Sequence, residues 1–190
     1  MVLPRAFYLR PDVVTIARDL LGMTLHTCIA GDHVVAMITE TEAYAGVGDR
    51  ASHAFAGRRT ARNETMYGLG GHAYVYICYG IHHMLNVVTH DEGIPHAVLI
   101  RGVRVLKGAE VAAQRRGRPD ASTAGPGSAA QAMGIRRAHD GTDLLGPTIR
   151  IEDDGVRHSP EAVLSGPRIG VGYAGADALL PYRFLLAKGS

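Results

Sequence analysis

The stretch Thr39-Glu40-Thr41-Glu42-Ala43-Tyr44 ends an otherwise apolar run with two carboxylates two residues apart. On a regular strand alternate side chains share a face, which would set Glu40 and Glu42 side by side at about 7 Å. A glutamate is ionised at neutral pH and acts as a general base when it touches a water or an acidic proton. An acid at a strand end is as readily a solvated surface group. These two, however, lead into a polar, glycine-rich stretch without any period, residues 46–71, and long loops of that kind carry reactive groups or are disordered.

The other chemically loaded stretch is residues 73–88, Ala-Tyr-Val-Tyr-Ile-Cys-Tyr-Gly-Ile-His-His-Met-Leu-Asn-Val-Val. Its β-branched and aromatic residues read as a strand, with Tyr74, Tyr76 and Cys78 on one face and Val75, Ile77 and Tyr79 on the other. Gly80 interrupts it before a second apolar run, the pattern of a hairpin with Tyr79 and Gly80 at its tip. A large ring beside a turn either folds back on the core or is held out to stack on something flat, and the hairpin alone leaves both open.

Other chemistries are disfavoured. His82-His83, His90 and His96 surround Asp91-Glu92, but adjacent histidines face opposite sides of a strand and no HExxH spacing occurs, so no metal site is read. Gly68-Leu69-Gly70-Gly71 precedes a strand instead of joining a strand to a helix, unlike a dinucleotide loop. A GxSxG elbow is missing. Cys28 and Cys78 are far apart, which suits a reducing compartment and opposes both a disulfide framework and a cysteine zinc site.

The 190 residues fit one domain, with a net charge of +2. Only Lys107 and Lys188 are lysines; the other bases are arginines, whose planar forks pair bidentately with phosphate. A GC-rich coding sequence accounts equally well for that bias. Local groups such as Arg58-Arg59-x-x-Arg62 and Arg115-Arg116-x-Arg118 remain candidates for a nucleic-acid backbone. The N-terminus lacks the apolar core of a signal peptide, and no run reaches the ~18 apolar residues of a membrane span, so the expectation is a cytoplasmic protein with no membrane partner.

The elements that must position these residues follow from local pattern. Residues 12–21 predict a helix capped by Asp12 and ended by Gly22. Residues 24–28 and 34–41 predict strands about an Ala30-Gly31-Asp32 turn, and residues 97–105, 148–152 and 183–186 predict three more, with a tight turn at Asp154-Gly155. Residues 107–116 read as a helix stopping at Gly117 and Pro119, followed by a loop over 119–127. Ser128 there is placed to cap a short helical turn whose free N–H groups suit a phosphate. Strands joined by short turns, with helices at either end of the series, predict an α+β fold on a largely antiparallel sheet.

In order and spacing, Thr41-Glu42-Ala43-Tyr44, Ala51-Ser52-His53, Arg62-Asn63, Tyr74-Val75-Tyr76-Ile77-x-Tyr79-Gly80, Asn86 and Leu99-Ile100-Arg101 resemble the alkyladenine (3-methyladenine) DNA glycosylase family. Leu3-Pro4-Arg5, Arg18-Asp19-Leu20-Leu21-Gly22, Gly125-Pro126-Gly127 and Pro167-Arg168-Ile169-Gly170-Val171 extend the resemblance over nearly the whole chain. It implies one mixed α/β domain on a curved antiparallel sheet with a protruding hairpin, acting as a monomer on double-stranded DNA that contains damaged purines. It also implies hydrolysis of the N-glycosidic bond without metal or other cofactor. By position, Glu42 is the implied general base and Arg101 helps place the attacking water. Tyr44, His53 and Tyr76 wall the base pocket, Asn86 checks the purine edge, and Tyr79 fills the gap left by the flipped nucleotide. Arg58, Arg59 and Arg62 are candidates for the DNA backbone. Because Schiff-base chemistry needs an amine and neither lysine falls within these motifs, the expected enzyme leaves an intact abasic site. The rivals are a non-catalytic lesion- or structure-binding protein, which has no use for Glu42 beside a polyanion, and a generic sugar or nucleoside hydrolase, which leaves the arginines and Tyr79 unexplained.

Overall fold

The computed structural model describes residues 1–118 and 123–187, so Pro119, the first part of the 119–127 loop and Lys188 lie outside the described residues. Within them the strands are β1 (Thr24–Ile29), β2 (Asp32–Tyr44), β3 (Ala73–Cys78), β4 (His82–Thr89), β5 (His96–Lys107), β6 (Ile149–Glu152), β7 (Val163–Gly166) and β8 (Arg183–Leu186). The α-helices are α1 (Arg5–Tyr8), α2 (Val13–Asp19), α3 (Ala109–Arg116) and α4 (Pro126–Ala132). The strands form one strongly curled antiparallel sheet in the order β3-β4-β5-β2-β1-β6, with β8 bonded to β2 and β7. The expected α+β fold on a curved antiparallel sheet is therefore present.

The long β2 is the axis of this sheet. One edge pairs along its length with β5, while the other pairs with β1 through residues 32–37 and with β8 through Glu40–Glu42. Its backbone polar groups are thus satisfied on both sides, which permits the burial of Val34 to Ile38 and of Thr41 to Ala43. The β1–β2 turn needs left-handed backbone at Ala30 (φ 56°) and Gly31 (φ 85°), the geometry that matches strand twist in a tight hairpin.

Helix α2 lies where its cap predicts. Asp12 accepts hydrogen bonds from the backbone N–H groups of Val14 (2.9 Å) and Thr15 (3.2 Å), satisfying two of the helix's orphan donors. Val13, Ile16 and Ala17 form its buried stripe and join the main core with Leu20 and sheet residues such as Ile38 and Val103. The alternation along β3 sends its two faces into different clusters. Ala73 and Val75 enter the main core, whereas Tyr74 packs with Ala54, Met66, Tyr67, Val88 and Ala97.

Three local expectations are corrected, and one strand was not anticipated. The helix read over 107–116 starts at Ala109, because Lys107 still pairs with Val35 in the sheet and Gly108 (φ 79°) makes the turn. A Cβ on Gly108 would come 2.8 Å from the His33 carbonyl oxygen, so the close approach also demands glycine. Ser128 is not a cap: α4 begins at Pro126 after Gly125, with no side-chain cap, and Ser128 falls inside it. Strand β7, exposed at Leu164 and Ser165, has no core-facing alternation and gives no sequence signal. Finally, β2 is not regular at its carboxylates, since the β2–β5 register shifts on both sides of Glu40.

Candidate active site

The 46–71 stretch, aperiodic in sequence, is held by polar anchors in place of an apolar stripe. The Asn63 side chain accepts from Thr60 N (2.7 Å) and donates to the carbonyls of His53 (3.1 Å) and Arg58 (2.9 Å). Asp49 accepts from Ala45 N and Ala51 N, both at 3.0 Å. Both anchors are buried. This loop then closes over the β3–β4 hairpin and forms one wall of a cavity of 610 Å³.

Aromatic rings line the cavity. His53 meets Tyr76 edge-on with centroids 4.7 Å apart, and its Nδ1 lies 2.9 Å from the Tyr74 hydroxyl. Burial, with the Arg62 and Arg58 charges beside it, pushes the His53 pKa down, so the imidazole is neutral at physiological pH. Burial holds the Tyr76 phenol protonated, its pKa pushed up to about 12. Arg62 stacks over the Tyr76 ring at 5.2 Å. Buried Asn86 also lines the cavity, and its Nδ2 donates to the Tyr74 carbonyl (3.1 Å) across the β3–β4 ladder. The strand period and the hairpin register thus bring Tyr76 and Asn86 onto one side of the slot, with Tyr44 and His53 arriving from β2 and the loop.

Behind this lining sits Glu42, with no exposed surface. Its Oε1 accepts from the backbone N–H of Ile169 (2.8 Å), its Oε2 accepts from the Tyr44 hydroxyl (2.8 Å), and the Arg101 Nε is 3.5 Å away. An ionised carboxylate has about four acceptor positions, so these donors leave acceptor capacity uncommitted. Burial raises the Glu42 pKa; Arg101, the Ile169 N–H and the Tyr44 hydroxyl act against that rise, and Glu40 adds to it. A base with a raised pKa lies closer to working pH and takes a proton more readily.

Arg101 reaches Glu42 because of the irregularity in the sheet. Between the Glu40–Gly102 and Thr41–Ile100 pairs, β5 carries Arg101 as an extra residue, and such a bulge re-aims a side chain. Its Nε also donates to Glu40 (3.0 Å), which accepts in addition from Arg183 (2.6 Å). The two glutamates therefore differ: Glu40 is neutralised by two arginines, and Glu42 is sealed under the aromatic slot.

Tyr79 stands at the hairpin tip, 91% exposed. It and Gly80 are the central residues of the turn closed by Ile81 N to Cys78 O, and both have positive φ (51° and 74°). A tyrosine with left-handed backbone is strained, and a strained, exposed ring marks function more often than packing. The core alternative for Tyr79 is excluded by its exposure.

The arginine groups separate. Arg59 forms a bidentate ion pair with Glu64 and lies over the Tyr67 ring, while Arg58 and Arg62 face cavities. Arg115 is tied to Asp32 and the Ile29 carbonyl, and Arg116 to Gln131, which occupies them within the fold. No group of three His, Cys, Asp or Glu among the described residues is placed to hold a metal ion.

Sequence reasoning assigned no role to two features of the site. Arg168, wholly buried, donates to Asp49 Oδ1 (2.8 Å), to the Ala43 carbonyl (2.8 Å) and to the Asp177 carbonyl (3.1 Å), and stacks on Tyr44 (4.9 Å). It thereby sets the neighbouring Ile169 N–H on Glu42. Tyr173, from the same segment, lines the cavity mouth. The signal was present in the Pro167-Arg168-Ile169-Gly170-Val171 motif, whose partners lie more than a hundred residues away.

The site thus combines an aromatic slot, a fully buried carboxylate bonded to Tyr44 and Ile169 of its lining, and an exposed ring on the adjoining hairpin. Comparison with known proteins makes this specific. Residues 6–190 match the family model described as Methylpurine-DNA glycosylase (MPG). A protein of Chlamydia felis (strain Fe/C-56) named "Putative 3-methyladenine DNA glycosylase" is 42% identical over 189 residues, 97% of this chain and 96% of its own. Proteins of that name from Anaeromyxobacter dehalogenans (strain 2CP-1 / ATCC BAA-258) and Methanocella arvoryzae are 48% and 45% identical, covering 98% and 96% of this chain and 82% and 91% of theirs. The chain belongs to the methylpurine-DNA glycosylase family.

Proposed function

We propose that this chain is a single, monomeric DNA glycosylase domain that flips alkylated or deaminated purines, of the 3-methyladenine, 7-methylguanine and hypoxanthine class, out of duplex DNA. Glu42 deprotonates a water that attacks C1′, Arg101 positions that water and holds the carboxylate, and the N-glycosidic bond breaks to leave an intact abasic site. The observation that carries this reading is buried Glu42, raised in pKa, bonded to Tyr44 and Ile169, both of which line the aromatic slot.

The energetics fit a selective reader of damage. Unstacking and unpairing a base costs a few kcal/mol, less for a damaged one. Stacking an aromatic ring returns about 1–3 kcal/mol per base. Tyr79 in the vacated gap with Tyr44 and Tyr76 around the flipped base offset most of that cost without making every base favourable. Positively charged alkylpurines gain more from electron-rich ring faces than neutral bases do, and their glycosidic bonds are already weak.

The test is release of the damaged base from duplex oligonucleotides bearing alkylated adenine or hypoxanthine, read as alkali-labile sites. Strand cleavage is expected only after alkali, and borohydride is expected to trap no protein–DNA adduct. Absence of release from every lesion would refute the reading; a trapped adduct would refute its monofunctional part. Tyr79→Ala is expected to weaken binding to a lesion duplex by about 1–3 kcal/mol, measured by fluorescence anisotropy, with thermal stability unchanged because the ring makes little contact with the fold.

A further inference from the structure

Beside the aromatic slot lies a second cavity, of 530 Å³, lined by Arg50, Arg58 and Arg62 with Ser52, Thr60 and Tyr173 among its other residues. His53, Arg62 and Tyr173 belong to both cavities, so the two meet across the imidazole. Three cations converge here and no carboxylate lines the space. Other arginines of this protein are neutralised: Arg5, Arg10, Arg59, Arg137, Arg150 and Arg157 each hold an aspartate or glutamate within 4.0 Å. Among the described ion pairs none involves Arg50, Arg58 or Arg62. Like charges gathered without a counter-charge repel one another, and the arrangement is relieved when an anion enters. The Ser52 hydroxyl, which accepts from Ala54 N and keeps its own proton to give, and the guanidinium forks are donors that recognise phosphate oxygens.

We infer that this cavity holds the backbone phosphate adjoining the flipped nucleotide, with Arg50, Arg58 and Arg62 as its ligands and Tyr173 at the boundary with the base slot. The inference rests on the proposed glycosylase reading, because it needs a nucleotide whose base occupies the aromatic slot. It assigns to Arg50 and Tyr173 roles that the sequence motifs do not carry, and it separates Arg58 and Arg62 from Arg59, which is bound to Glu64 and lies outside the cavity. Neutral His53 between the two cavities adds no charge of its own, so the positive charge of the second cavity comes from its arginines.

The experiment measures binding of a duplex carrying a stable abasic-site analogue, with each phosphate near the analogue replaced in turn by an uncharged methylphosphonate. For the unaltered protein one position is expected to weaken binding by roughly ten-fold, as loss of a charge-assisted contact does. Arg50→Gln and Arg58→Gln are expected to weaken the all-phosphate duplex similarly and to abolish the penalty at that one position. Each is also expected to lower the slope of log K against log salt by about 0.9, the value for one phosphate. Arg157→Gln removes the same charge far from both cavities and is expected to retain both the penalty and the slope. A methylphosphonate penalty that persists unchanged in Arg50→Gln and Arg58→Gln, or an equal loss in Arg157→Gln, would overturn the inference. The unaltered protein's release of damaged bases, assayed in parallel, keeps that failure distinct from failure of the glycosylase reading.

Discussion

Replacing Glu42 by Gln is expected to lower the rate of base release by about 10²–10⁴-fold, the usual contribution of a general base, while binding to a lesion duplex persists. Few substitutions separate chemistry from structure so cleanly. The two donors on Glu42 are kept by the amide: its oxygen accepts from Ile169 N, and the Tyr44 hydroxyl rotates to accept from the new NH₂. The ionised form of Glu42 is less comfortable in the fold than in water, because its pKa is raised. Folding therefore favours the protonated acid, and the charged form present at neutral pH costs stability, so removing it is expected to leave Tm unchanged or higher. The same direction sets the pH profile. The base must be ionised, so activity is lost as pH falls through the raised pKa of Glu42, and the acid limb of kcat lies above the ordinary glutamate range. Single-turnover release measured across pH is expected to show that limb in the unaltered protein and not in the residual activity of Glu42→Gln. A mutant as active as its parent would remove Glu42 from the mechanism.

Arg168→Ala is expected to destabilise the protein by about 3–5 kcal/mol, because it leaves Asp49 as an uncompensated buried charge. For a chain of this size that corresponds to a Tm lower by roughly 6–20 °C. The pair is almost completely buried, at 0% and 2% side-chain exposure, and its hydrogen bonds join the end of β2, the start of the 46–71 loop and the 168–177 segment. Asp49→Asn is expected to cost a similar amount by stranding the guanidinium. The double variant, with Asp49→Asn and Arg168→Ala, is expected to lose less than the two single losses combined, and strict additivity in chemical denaturation would show that the two do not act together. Arg168→Lys keeps the charge but loses the bidentate fork. It is expected to retain part of the stability and, by loosening Ile169 over Glu42, to lower kcat more than it raises KM.

The local plan of the molecule was readable from its residues because local rules reach only a few positions. Alternation marked β3, an apolar run after Gly80 marked β4, the Asp12 cap and the apolar stripe of Val13, Ile16, Ala17, Leu20 and Leu21 marked α2, and Tyr79-Gly80 marked a turn. The catalytic candidates came from the resemblance, and the family membership bears out the resemblance itself. Element ends were less readable: Lys107 has the side chain of a helix surface, yet its backbone completes a ladder with Val35. Strand β7 is bonded to β8 without burying an alternating face, and only its partner defines it.

By sequence, Glu40 and Glu42 are equivalent acids two positions apart; the tertiary structure makes them different. A bulge in β5 inserts Arg101 beside them, β8 brings Arg183 to Glu40, and the 168–177 segment lays Ile169 over Glu42. Likewise Arg50, Arg58 and Arg62 are scattered bases until the 46–71 loop folds them around one cavity that no carboxylate lines. The sequence alone determined which side chains lie on strands, caps and turns, because those depend on backbone preference and on neighbours one to four residues away. Which carboxylate is desolvated, and which arginines face a cavity that no carboxylate lines, was decided only by the packing of loops and strands in space, since burial and electrostatics are properties of what surrounds a group.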